Sequence, residues 1–185
     1  MKRYLALALL LVLFSCSTNK KPEPTLVTFP DAEVPTITDV MAPAKRFIIE
    51  PSMEKYTSLS IRAEKFFSVI AKDSSLIPKT TYSNTQDTRD IVISKIRASE
   101  GEIVVPVDMY WPNMFQTNRV TAYRVGNRIR FNGNRMNRGD CALINTFVHE
   151  WLHALGYDHK SAKDSMSVPY YYGDMAEEAC IQGKV

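Results

Sequence analysis

His149-Glu150-Trp151-Leu152-His153-Ala154-Leu155-Gly156-Tyr157-Asp158-His159 holds all 3 histidines of the 185-residue chain. The stretch reads H-E-x-x-H-x-x-G-x-x-H. If it is helical, His149 and His153 stand one turn apart on one face and can share a tetrahedral metal ion. Glu150, beside them and not a ligand, can take the proton of a water whose pKa the metal lowers towards about 7. Gly156 can adopt the left-handed conformation that ends a helix, so that the chain turns back and His159 brings a third nitrogen from outside it. Three protein ligands leave the fourth position open, as a catalytic zinc requires and a structural one does not. A lone helical histidine is usually a packing or surface residue, and a bare H-E-x-x-H also occurs in helices that bind nothing. Five fixed positions, with a helix-ending glycine where the geometry needs it, make this stretch read as a catalytic zinc site.

The surrounding residues agree with that reading. Asp140 is placed to cap the helix. Leu143, Phe147, Trp151 and Leu155 form one apolar row at helical spacing and Ile144, Val148 and Leu152 a second. His149 and His153 fall at the border of this wide apolar face, looking into a cleft floored by the core. Upstream, residues 120–125 and 128–132 flank Gly126-Asn127 as a hairpin. With Val125 opposite Arg128, Ala122, Ile129 and Phe131 share the core face, and Tyr123, Arg128 and Arg130 share the other. Residues 46–50 read as a strand and residues 53–73 as an amphipathic helix burying Tyr56, Leu59, Ala63, Phe66, Phe67 and Ile70. Residues 90–96 and 103–109 are β-branched strand candidates, and a short last helix begins near Asp174.

The extended histidine motif resembles the signature of the metzincin clan of zinc endopeptidases, in which a methionine turn lies beneath the metal. Met166, in Asp164-Ser165-Met166-Ser167-Val168-Pro169-Tyr170, matches that turn. Its short distance from His159 is most similar to the matrixin branch, although the following proline stands one place later here. The resemblance covers Asp140 to Gly173. It implies an α+β metzincin-like single domain: a twisted mixed β-sheet with a backing helix, an active-site zinc helix and a C-terminal helix. It further implies one catalytic Zn2+, a peptide or protein substrate, and residues 169–173 as the wall of the pocket for the side chain after the scissile bond. The alternative for Tyr170, Tyr171 and Tyr172 is an aromatic loop that packs on the final helix. Calcium is left open.

Lys2 and Arg3 precede an apolar run over residues 4–14, too short for the roughly 20 residues that span a bilayer, so it reads as an export signal. It ends Leu13-Phe14-Ser15-Cys16, which resembles a bacterial lipoprotein signal with Cys16 acylated as the first mature residue. The expected organisation is a signal peptide over 1–15, a lipid-anchored tether over the proline-rich and polar 16–44, and a catalytic domain over 45–185. An exported, membrane-anchored lipoprotein of the bacterial envelope lies in an oxidising compartment, where Cys141 and Cys180 can pair, two free thiols being the alternative. The 23 basic residues fall to 21 when Lys2 and Arg3 leave with the signal, against 20 acidic ones. So neutral a mature chain is no nucleic-acid binder. A monomer is expected.

Between Asp108 and Asp140 stand Arg119, Arg124, Arg128, Arg130, Arg135 and Arg138 without one acidic residue. Such a run favours acidic substrates or anionic envelope polymers if it borders the cleft, and is otherwise a solvated face. The sequence thus points to an envelope-tethered zinc endopeptidase with Glu150 as general base. Two alternatives are a non-catalytic zinc-containing binding lipoprotein and a zinc hydrolase of a non-protein envelope amide.

Overall fold

Gly126 turns the chain at a φ of 58°, a left-handed value that glycine adopts without steric cost. The flanking strands β3 (Ala122–Val125) and β4 (Arg128–Asn132) therefore pair antiparallel, with Val125 opposite Arg128 and Ala122 opposite Phe131. The computed structural model describes residues 46–112, 120–159, 161 and 164–185. The expected leader, Cys16, the tether and Arg119 lie outside the described residues. Two earlier strands, β1 (Phe47–Ile49) and β2 (Val105–Tyr110), complete a mixed sheet of order β1-β2-β4-β3. β1, β2 and β4 run parallel to one another, and β3 is an antiparallel edge.

Four helices accompany the sheet among the described residues: α1 (Thr57–Lys72), α2 (Arg89–Ala98), α3 (Asp140–Ala154) and α4 (Val168–Ile181). The result is the α+β domain expected, with α1 backing the sheet and α3 carrying the histidine motif. Leu59, Ala63, Phe66, Phe67 and Ile70 of α1 are buried, as are both apolar rows of α3 except the half-buried Leu155. Where the layers meet, the Phe147 ring stands 4.7 Å from Phe131 and 5.3 Å from Phe47, and Trp151 stands 4.7 Å from Phe67. The indole Nε1 of Trp151 donates to the Ile103 carbonyl at 3.2 Å. Truncating such a side chain costs about 3 to 5 kcal/mol, so the back of α3 is firmly anchored.

At the head of β1, Arg46 is fully buried, ion-paired with Glu64 of α1, and donates to the Ile96 carbonyl at 3.1 Å. Its guanidinium lies 5.0 Å from the Phe67 ring and 5.2 Å from that of Trp151. Cys141 and Cys180 are joined by a disulfide with a Cα–Cα distance of 5.4 Å, which ties the first turn of α3 to the last turn of α4.

Several expectations are corrected. Residues 90–96 are not a strand but most of α2: the Thr88 side chain accepts the Ile91 N–H and caps the helix, and Val92, Ile93 and Ile96 are buried at helical spacing while Ile91 is 44% exposed. β-branched content misled there because burial, not propensity, settles short apolar runs. The expected helix over 53–73 opens as a 3-10 turn, Pro51–Tyr56, before α1. The cap of α3 is Gly139, at a φ of 91°, and Asp140 stands in its first turn. The last helix begins not near Asp174 but at Val168, with Ser167 before it and Pro169 in its first turn, where a proline loses no hydrogen bond.

Candidate active site

α3 presents His149 and His153 to a cavity with their rings 4.9 Å apart and their Nε2 atoms 3.1 Å apart. Gly156, at a φ of 98°, ends the helix. Its N–H donates to the His153 carbonyl and the Tyr157 N–H to the Leu152 carbonyl, each at 3.1 Å. This pair of bonds is the Schellman closure that lets the chain fold back across its own last turn. The His159 ring consequently lies 5.2 Å from that of His149 and 4.8 Å from that of His153, and one ring nitrogen from each histidine falls within 4.8 Å of the others.

This cluster fits a metal ion. The Nδ1–H of His153 donates to the Tyr157 carbonyl at 2.7 Å, which leaves Nε2 as a bare lone pair facing His149. Ligands about 2.0 to 2.1 Å from a tetrahedral zinc stand roughly 3.3 Å apart, close to the observed spacing. The buried Nδ1 of His159 has no hydrogen-bond partner among the described residues. Burial pushes the His149 imidazole down to about 3 and the His153 imidazole downward as well. Both rings are therefore neutral at pH 7, the form that binds a metal. Glu150 is buried beside them and lines the same cavity. Burial pushes its carboxyl up to about 7, while the Arg124 guanidinium pulls the other way; a general base works best near the operating pH.

The loop carrying His159 is held by residues that sequence reading had passed over. The Asn84 side chain donates through Nδ2 to the Asp158 carbonyl and accepts the Val168 N–H through Oδ1 at 3.1 Å. It thereby clips the residue before His159 to the start of α4. The Ser83 N–H donates to the Met166 carbonyl at 3.1 Å, and the Ser83 hydroxyl donates to Asp164. Tyr157 donates to Asp87 Oδ2 at 2.6 Å, and Lys95 pairs with the same oxygen at 2.5 Å. The polar run Ser83-Asn84-Thr85 signals a turn in the sequence, but its partners lie some seventy residues downstream (|i−j| = 74 for Asn84 and Asp158). Nothing local announces them.

The cavity, about 670 Å³, is walled by Val120, Ala122, Tyr123, Arg124 and Gly126 on the β3 side and by the three histidines, Glu150, Tyr157 and Asp158 opposite. Tyr170 closes one end, its ring 4.4 Å from His149 and 4.7 Å from His159. It does so from the first turn of α4 rather than from the loop expected over 169–173. Tyr172 is buried, and Tyr171 meets Tyr82 at 5.7 Å. Met166 is 41% exposed and is not among the residues lining the cavity. Residues 43–179 match the family model described as Peptidase M66. No curated protein and no solved structure matches the chain.

Proposed function

The chain belongs to the Peptidase M66 family of metallopeptidases, and on that premise we propose that it is a zinc-dependent endopeptidase tethered to the bacterial envelope. His149, His153 and His159 hold the metal and Glu150 is the general base. The observation that carries this reading is the convergence of three imidazole nitrogens within 4.8 Å, with a buried carboxyl next to the first of them and an open cavity in front. Bound zinc supplies Lewis acidity, polarising the scissile carbonyl and lowering the pKa of the attacking water. The peptide lies extended along β3, whose side away from β4 is unpaired among the described residues and offers main-chain hydrogen bonds. Glu150 takes a proton from the water as its oxygen joins the carbonyl carbon, and returns it to the amide nitrogen as the carbon–nitrogen bond breaks.

His153 is kept in the metal-binding tautomer by its bond to the Tyr157 carbonyl, a supporting contact of the kind that orients metal ligands. Lipidation at Cys16 and the tether over 16–44 anchor a monomeric domain in the bacterial cell envelope, outside the cytoplasm. The basis for this is the charged, apolar and cysteine-ended leader. Met166 is assigned no part in the chemistry.

The test is product analysis of a diverse peptide library incubated with the zinc-loaded protein, with and without chelator, beside Glu150→Gln and beside purified envelope polymers. Chelator-sensitive peptide products absent from the variant are expected. Stoichiometric zinc without peptide products would move the assignment to a non-protein amide or to a binding module.

A further inference from the structure

Among the described arginines of the 119–138 run, Arg124 is set apart from Arg128, Arg130 and Arg138. Arg128 lies 3.4 Å from Glu50 and 3.2 Å from Asp108, and Arg130 lies 3.1 Å from Asp108. Both leave the sheet on the face away from the core and are neutralised there. Arg138 donates to the Thr121 hydroxyl at 2.5 Å. Arg124 is different. It pairs in register with Ile129, and side chains directly opposite one another share a face. Its side chain therefore leaves β3 towards α3 and enters the wall of the cavity, the only arginine to do so among the described residues.

One nitrogen of that guanidinium is already committed: Nη1 donates to the His153 carbonyl at 2.9 Å. This carbonyl belongs to the last turn of α3, where the helix dipole favours a cation, so the side chain is steered to the mouth of the site. The residue is exposed, and no carboxylate pairs with it among the described residues. The cavity holds two carboxyl groups. Glu150 is buried, and Asp158 is turned to His153 Nδ1 at 3.5 Å. An arginine anchored through one nitrogen keeps further N–H groups in a planar fork that matches a carboxylate.

We propose that Arg124 is a specificity-determining residue that selects substrates carrying an aspartate or glutamate next to the scissile bond. Its free N–H groups pair with the substrate carboxylate while the His153 carbonyl holds the side chain in place. The assignment rests on the peptidase reading above and sharpens it to a substrate class. Among the described arginines of the run, Arg124 is the member through which a preference for acidic substrates would act.

The experiment uses the zinc-loaded full chain and peptides that differ only in Glu, Gln or Lys at each position flanking the cleaved bond. The parent is expected to favour Glu over Lys at one position by about tenfold or more in kcat/KM, a modest yield for a close charge pair. Arg124→Glu should invert that preference, and Arg124→Met should flatten it, with the melting temperature near the parent's in both because the side chain is exposed. A residue that merely closed the helix would not reverse selectivity. Cleavage with no charge preference at any position, or an unchanged preference in Arg124→Glu, overturns the assignment and leaves the peptidase reading standing. A protein that cleaves no peptide in any of these sets overturns the reading itself.

Discussion

His149 and His153 ride on a helix whose far side is buried against the sheet, while His159 stands on a loop fixed by hydrogen bonds from residues far upstream. The first two are positioned by helical periodicity, which brings positions four apart together wherever the backbone is helical. The third needs Gly156 to reverse the chain, Asn84 to clip Asp158 to α4, and Asp87 to hold Tyr157. The three imidazoles thus combine a pair that helical spacing brings together with one that the tertiary fold must deliver. The loop half is the more sensitive to change at a distance, because its support is polar and partly exposed rather than packed.

Four variants probe that contrast. Glu150→Gln touches neither half of the ligand set; it should lower kcat/KM by about 10²- to 10⁴-fold while zinc stoichiometry and melting temperature stay at the parent's values. Loss of zinc from that variant would show that Glu150 holds the cluster together rather than serving as base. Replacing Cys141 and Cys180 by serine should cost about 4 kcal/mol of unfolding free energy, from the chain entropy of a loop closed across 39 residues. Zinc affinity in native buffer should hardly move, since the bridge pins the end of α3 away from the histidines. A large drop in affinity would mean the helix half is less secure than its packing implies.

Asn84→Ala should weaken zinc binding about 10- to 100-fold, the usual worth of a contact that orients a metal ligand, as read by competition with a chromogenic chelator. An affinity equal to the parent's would mean that Gly156 alone places His159. The smallest effect belongs to Asp87, whose carboxyl is held below its ordinary 3.8 by hydrogen bonds from Lys95 and then Tyr157. A depressed folded value means the unfolded chain binds the proton more readily. The contribution is therefore fully present above the ordinary aspartate range and lost as the pH falls through the lowered folded value. Asp87→Asn should cost on the order of 1 kcal/mol near neutrality and converge with the parent in acid. Parallel stability curves in denaturant titrations from pH 7 to pH 3 would contradict it.

The same division explains what the sequence disclosed. The buried face of α3, the register around Gly126-Asn127 and the pairing of His149 with His153 follow from periodicity and turn chemistry that can be read within a dozen residues, whereas the α+β class is what the resemblance to metzincins implies. Residues 90–96 defeat a local reading because three β-branched side chains in a row suit a strand as well as a buried helix, and the Thr88 cap decides between them. The start of α4 lies six residues before Asp174 because Pro169 fits the first turn of a helix as well as it fits a loop. Asn84 gives no sign of its role in the sequence, and Arg124 is there one of six similar arginines. One acts through partners more than seventy residues away, and the other is told apart from its neighbouring arginines only by the face of β3 on which it falls. The same strand pairing carries Arg128 and Arg130 to Asp108, so a charge run that looks uniform is neutralised at two of its members.

In the proposed site, helix and loop meet on one catalytic zinc with a coordination position left open. Anomalous diffraction at the zinc edge from crystals of the zinc-loaded protein should show a single zinc bound by one nitrogen each of His149, His153 and His159, with its remaining position facing the cavity beside Glu150. Zinc closed by a fourth protein ligand, or bound without His159, would overturn the proposed site.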